Sequence, residues 1–145
     1  MSNRDADQLD VKRSDTASRS RYVRGCILWR AGRAGEARAL LSALVATDTG
    51  TERLRDLAQL GMIEVKLGDR DAARRIEGEL ARATLPYERG WPKLRQAQLA
   101  AALGERDRAV LLLRHGIGWG IRLSIVRGAL VGYGALGLLH GCPPF

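Results

Sequence analysis

Apolar residues recur three and four positions apart along most of the chain, as they do on the buried face of an amphipathic helix. No stretch keeps the strict alternation of apolar and polar residues that is typical of a half-buried strand. The pattern therefore predicts an all-α protein. Its helices are expected at Asp15–Arg30, Gly35–Ala46, Thr51–Leu67, Asp69–Ala83, Trp91–Ala102 and Glu105–Arg114.

Three segments of this pattern repeat one another. RAGRAGEARALL, KLGDRDAARRIE and ALGERDRAVLLL align with a glycine in register at residues 32, 68 and 104, a period of 36 residues. Small residues also align five positions after and seven positions before each glycine. These two columns hold Ala37, Ala73 and Ala109, and Gly25, Gly61 and Ala97.

The aligned columns have a physical explanation. A glycine between two helices can take the left-handed conformation that ends the first, and an acidic residue after it is favoured at the start of the second. Small residues in the other columns let paired helices approach closely. Asp69 and Asp71 next to Gly68 are thus expected to cap a helix, because residues two apart on a helix point to different faces and do not form a metal or acid/base site together. Each unit is predicted to be a helical hairpin that stacks on its neighbours.

The repeats resemble the tetratricopeptide family. In the second unit Leu60-Gly61, Gly68-Asp69 and Ala73 match the family's signature positions. The matching residues are Gly25, Gly32 and Ala37 in the first unit and Ala97, Gly104-Glu105 and Ala109 in the third. The period is longer than the usual 34 residues, and the aromatic residue that normally comes early in the first helix is missing. The resemblance implies an αα-hairpin solenoid, a superhelix of three hairpins with a C-terminal capping helix.

The three repeats and the family resemblance predict the organisation of the whole chain. Residues 1–14 are expected to be a flexible leader, followed by repeats at about 15–50, 51–86 and 87–120 and by a cap at 121–145. The cap should contain a helix at about Ile121–Leu139, for which a membrane-surface or self-association helix is the alternative. LLRHGIGWG and LLHGCPPF in this region resemble the ends of repeat regions in multidomain bacterial kinases and regulators.

Composition and charge narrow the class of partner only in part. The 24 basic and 16 acidic residues give a net charge of +8, spread over both ends of the chain. This balance favours an acidic partner, whether a peptide, a nucleic acid or an anionic membrane surface. Two widely separated cysteines and an N-terminal segment without an apolar core favour a cytoplasmic protein without a disulfide framework. No segment is long and uncharged enough to predict a transmembrane span.

No residue pattern predicts catalysis. The two histidines, His115 and His140, lack metal-ligand spacing, and the sequence has no nucleophile elbow, dinucleotide fingerprint or phosphate-binding loop. A dyad of Cys142 and His140 would need a third group to orient it. We therefore expect no catalytic residues, no metal site and no cofactor.

The tetratricopeptide resemblance implies that the first helix of each hairpin lines a concave groove for a partner peptide. The groove residues implied are Arg19, Tyr22, Trp29, Arg30, Arg55, Met62, Lys66 and Trp91. Arginine beside tryptophan suits an acidic peptide with an apolar residue. The expectation is a non-catalytic interaction or scaffold module. A basic nucleic-acid-binding repeat protein is the alternative, a membrane-surface module a third possibility, and self-association through the C-terminal helix remains open.

Overall fold

The computed structural model of the protein describes residues 3–85, residues 90–122 and residue 125. These residues form six α-helices and no strand, which confirms the all-α prediction for this part of the chain. The helices are α1 (Asn3–Arg30), α2 (Ala34–Thr47), α3 (Gly50–Leu67), α4 (Arg70–Arg82), α5 (Gly90–Ala102) and α6 (Arg106–Gly118).

The helix boundaries differ from the predicted ones mainly at the two ends. Helix α1 begins at Asn3 and not at Asp15, so most of the expected leader is helical. The segment contains no glycine or proline, and its acidic residues largely precede its basic ones, an order that the helix dipole favours. Of the predicted C-terminal cap, only Ile121, Arg122 and Ile125 lie within the described residues; Ile121 is buried in the core.

The three aligned glycines have the same conformation. Gly32, Gly68 and Gly104 have φ values of 80°, 88° and 84°, in the left-handed region that favours glycine. In each turn the glycine N–H and the next N–H donate to two carbonyls of the preceding helix, as the N–H groups of Gly68 and Asp69 do to Val65 and Glu64. The Asp69 carboxylate then accepts from the backbone N–H of Ala72 at 2.9 Å. The predicted cap at the start of α4 is therefore confirmed.

The columns of small residues lie at helix contacts. Ala37, Ala73, Ala97 and Ala109 are all fully buried. A Cβ atom on Gly61 of α3 would lie 2.9 Å from both δ-carbons of Leu99 on α5, closer than a real contact allows. The prediction that small side chains permit close approach is confirmed here, because alanine at residue 61 would require the Leu99 side chain or α5 to move.

Helix α3 has the most neighbours in the described structure. It packs against α2, α4 and α5, whereas α1 packs mainly on α2 and α6 on α5. Helices α2 to α6 each contribute fully buried leucine or isoleucine side chains to one core. Helix α1 lies at the edge and leaves Val23 and Ile27 largely exposed.

A repeated set of ion pairs connects the ends of these helices. Arg38 of α2 pairs with Glu64 and, at 3.7 Å, with Asp69 of the following turn. One period later, Arg74 of α4 pairs with Glu105 of the next turn. Residues at equivalent places in the 36-residue period therefore make the same contact, between one helix and the turn that follows the next helix.

Candidate binding surface

Helices α1, α3 and α5 bring four side chains of the candidate site together. We name the surface formed by Tyr22, Arg55, Trp91 and Arg95 the odd-helix surface. The guanidinium carbon of Arg55 lies 4.1 Å from the centre of the Tyr22 ring, and that of Arg95 lies 5.5 Å from the centre of Trp91. Both distances are within the range of cation–π attraction.

A cavity of about 200 Å³ opens between α3 and α5 on this surface. Its lining consists of Thr51, Glu52, Arg55, Trp91 and Arg95. The Glu52 carboxylate accepts a hydrogen bond from the Thr51 hydroxyl at 3.2 Å. The cavity thus has one aromatic wall, two guanidinium groups and one carboxylate at its edge.

The two arginines of the cavity differ in how their charge is compensated. Arg55 donates to the Asp56 carboxyl at 2.9 Å and lies 3.7 Å from Asp48. Arg95 donates to the neutral amide of Gln98, and its buried Nε has no hydrogen-bond acceptor. Within the described residues no carboxylate lies within ion-pair distance of Arg95. Burial lowers the pKa of Arg95 and the charge of Arg55 adds to that effect, so the site holds a guanidinium without a counter-ion.

Asp48 and Asp56 form a pair of carboxyl groups beneath Arg55. Asp56 is fully buried, and its Oδ2 accepts no hydrogen bond. Burial and, after it, the adjacent Asp48 raise the pKa of Asp56 from 3.8 to about 7, although Arg55 acts in the opposite direction. Although burial acts the other way, hydrogen bonds from Asp56 and Ser18 and the charge of Arg55 lower the pKa of Asp48. A protonated Asp56 that donates to ionised Asp48 satisfies both groups.

The α1 side of the surface is completed by Tyr22 and Cys26, which lie one helical turn apart. Burial raises the pKa of the Tyr22 hydroxyl, and the neighbouring Cys26 raises it further. Burial also raises the pKa of the Cys26 thiol. Both groups are therefore protonated at neutral pH, so they contribute no charge and no reactive thiolate to the surface.

The remaining predicted groove residues have different surroundings. Lys66 is exposed, and its Nζ lies 5.8 Å from the ring centre of the half-buried Trp29. Arg19 and Arg30 are exposed on α1. Met62 is buried in the core at 5% exposure, so in this structure its side chain is not presented to a partner as the groove model expected.

Sequence reasoning missed Asp48, Asp56 and Arg95. A signal for Asp56 was present, because Leu60 and Ile63 follow it at four and seven positions and all three lie on the buried face of α3. A carboxylate in an apolar stripe indicates a buried acid. Arg95 had no such signal, since it aligns with Val23 and Gln59 in the repeat and lies outside the columns that the resemblance implied.

Comparisons with known proteins do not assign a function to this surface. No family model, no curated protein and no solved structure matches the chain. In the part of the chain that the structure describes, no helix has the length and apolar character needed to cross a membrane. The same residues contain no cluster of three or more histidine, cysteine or acidic side chains placed to hold a metal ion.

Proposed function

We propose that the protein is a non-catalytic interaction module that binds an acidic segment of a partner protein on the odd-helix surface. In this proposal the chain is a solenoid of three tetratricopeptide-like hairpins with a C-terminal cap. The identical glycine turns, the buried small-residue columns and the repeated ion pairs at one period support that architecture.

The uncompensated charge of Arg95 is the observation that carries the proposal. A guanidinium that is largely removed from water and lacks a counter-ion is costly, and an anionic ligand group would relieve that cost. Trp91 and Tyr22 supply apolar area beside the charge. Arginine and aromatic side chains together are the residue types that contribute most to protein interfaces.

A protein partner fits the charge distribution better than a nucleic acid does. Six described arginines already pair with carboxylates of the chain itself: Arg33, Arg38, Arg53, Arg55, Arg74 and Arg108. Proteins that track a phosphate backbone present a continuous row of available cations. At this surface the charge of Arg95 lies beside aromatic rings, which suits one acidic side chain of a folded or extended segment.

The proposal includes no reaction, because the ionisable groups near the cavity are not suited to catalysis. At neutral pH the Cys26 thiol and the Tyr22 hydroxyl are both protonated. Asp48 and Asp56 both lie against the Arg55 guanidinium. A carboxyl held in this way is not placed to take a proton from a substrate in the cavity.

Fluorescence anisotropy with labelled peptides tests the proposal. We expect an eight-residue peptide of alternating glutamate and leucine to bind, and a lysine–leucine peptide of the same length not to bind. Arg95→Gln should weaken binding by about tenfold, the loss expected for one charge-assisted pair. Arg33→Gln is the matched control, because it removes the same charge from an exposed arginine paired with Glu36.

Two results would contradict the proposal. Equal loss of affinity in Arg33→Gln and Arg95→Gln would mean that only net charge matters. Tighter binding of random DNA than of the acidic peptide, with a steep dependence on salt, would favour the nucleic-acid alternative.

A further inference from the structure

The acid pair beneath Arg55 gives the cavity a charge that depends on one proton. Arg55 lies between the two carboxyl groups and the cavity, and its side chain is 15% exposed. With one proton on the pair, a single negative charge balances Arg55, and Arg95 keeps its positive charge. Without the proton, the second negative charge offsets Arg95 as well. Glu52 lines the edge of the cavity in both states.

Both carboxyl groups lie against the same Arg55 nitrogen, Asp56 at 2.9 Å and Asp48 at 3.7 Å. Two carboxylates held this close together repel each other where water is excluded, so one of them holds a proton more tightly than a free carboxyl does. Asp56 is the group that holds it, because it is fully buried and its Oδ2 has no donor in the described residues. Asp48 is the group that stays ionised, because it accepts from the Ser18 hydroxyl.

The other ionisable groups that face this pair come from three helices, and they do not change charge near neutral pH. Burial keeps the Cys26 thiol and the Tyr22 hydroxyl of α1 protonated. Arginine side chains stay charged throughout this range. Those that act on the pair are Arg21 of α1, Arg55 of α3 and Arg95 of α5. The Asp48–Asp56 pair is therefore the group at this site that titrates.

We propose that binding of an anionic side chain in the cavity is coupled to protonation of the Asp48–Asp56 pair, so that loss of the shared proton releases the ligand. The inference rests on the proposed function and names the regulation of the same surface. Its physical basis is reciprocal linkage: if the proton favours the anion, the anion favours the proton by the same factor. The chemical class of the ligand is a carboxylate that is ionised at both ends of the pH range.

The test measures affinity of the glutamate–leucine peptide at pH 6 and pH 8. Glutamate titrates near pH 4.3, at about two units below this range, so the charge of the peptide is constant. We expect about fivefold weaker binding at pH 8 for the wild-type protein. Asp56→Asn, which keeps a neutral group at that position, should bind with the same affinity at both pH values. Asp48→Asn should move the loss of affinity to lower pH, because it removes a negative charge that helps to raise the pKa of Asp56.

Two further measurements keep the test independent of how the variants fold. Calorimetric titration of the wild-type protein at pH 7 in buffers of different ionisation enthalpy should show net proton uptake on binding. His115→Gln should keep the wild-type pH dependence, because His115 is exposed on α6 and does not line the cavity.

The outcomes separate this inference from the proposed function. Peptide binding with no proton uptake, or with the wild-type pH dependence retained in Asp56→Asn, overturns the coupling and leaves the proposed function standing. Absence of peptide binding at both pH values overturns the proposed function and the coupling with it.

Discussion

Asp56 has surroundings that a helix rarely gives to a carboxylate. It is fully buried in the middle of α3, it accepts from the Arg55 guanidinium on one oxygen, and the carboxyl group of Asp48 lies against the same guanidinium. A buried charge of this kind is tolerated only if it is paired or neutralised. Here both happen, since Arg55 pairs with the cluster while a proton on Asp56 removes the second negative charge.

The raised pKa of Asp56 predicts how stability depends on pH. Burial, followed by contact with Asp48, raises the pKa of Asp56 from its ordinary 3.8 to about 7 in the folded protein. The folded state therefore holds a proton that the unfolded state releases, and the free energy of unfolding falls as pH rises from about 4 to 7. Between pH 5 and pH 8 this loss should amount to about 2–3 kcal/mol.

Urea unfolding of the wild-type protein and of Asp56→Asn at pH 5 and pH 8 measures this effect. We expect the wild type to lose stability over that interval and the variant to lose much less, because its amide does not titrate. A constant difference between the two proteins from pH 5 to pH 8 would show that Asp56 is ionised throughout the range. Any fixed cost of the substitution cancels in this comparison.

At the level of helices, the aligned glycines determine where two helices can approach each other closely. Gly61 lies where α3 meets α5, with Leu99 side-chain atoms 2.9 Å and an Ile76 carbon 3.3 Å from the position of a Cβ. Gly35 of α2 has nothing within 4 Å of its Cβ position. The two glycines therefore offer a matched pair of substitutions in helices.

Gly61→Ala should lower the free energy of unfolding by about 1–3 kcal/mol, because the added methyl group overpacks the contact between α3 and α5. Gly35→Ala should leave stability unchanged or raise it by up to about 1 kcal/mol, as alanine is the better helix former. Thermal unfolding followed by circular dichroism measures both. Equal stabilities of the two variants would mean that α3 and α5 do not pack as closely as described.

Most helix positions could be predicted from the sequence, because the signals that set them are local. A glycine followed by an acidic residue, as at Gly68-Asp69, ends one helix and starts the next through the conformation of a single residue. The start of α1 was missed, since a polar segment without glycine or proline has no strong signal either for or against a helix. What the leader lacked was an apolar stripe, and the prediction gave that absence too much weight.

The binding surface was only partly predictable, because it depends on contacts between residues far apart in sequence. Tyr22, Arg55 and Trp91 were expected in the groove and lie on one surface with Arg95. The pairing of Arg55 with Asp48 and Asp56 depends on how α3 packs and is not visible in a column of the repeat. For the same reason Met62, which shares a helix with Arg55, was expected to face a partner and is buried.

At the level of the whole molecule, net charge is a poor guide to where a partner binds. Of the 24 basic residues, six described arginines pair with carboxylates of the same chain, such as Arg38 with Glu64 and Arg108 with Glu77. In these two examples the carboxylate is buried and the arginine is exposed. The proposed binding site depends on the charge of Arg95, which is half-buried beside Trp91.

The tryptophans allow the position of the bound peptide to be observed directly. The sequence has three of them: Trp91 lines the cavity beside Arg95, Trp29 lies by Lys66, and the largely exposed Trp119 is not part of the odd-helix surface. Each has an indole N–H that gives its own signal in a proton–nitrogen correlation spectrum, and single Trp→Phe variants assign the three signals.

The most direct measurement is therefore a titration of the nitrogen-15-labelled protein with the glutamate–leucine peptide at pH 6. We expect the Trp91 indole signal to shift progressively with peptide concentration and the Trp119 signal to stay unchanged. In Arg95→Gln, the shift of the Trp91 signal should require a higher peptide concentration. A Trp91 signal that stays unchanged while the peptide binds, or a response confined to Trp119, would place the binding site elsewhere and contradict the account.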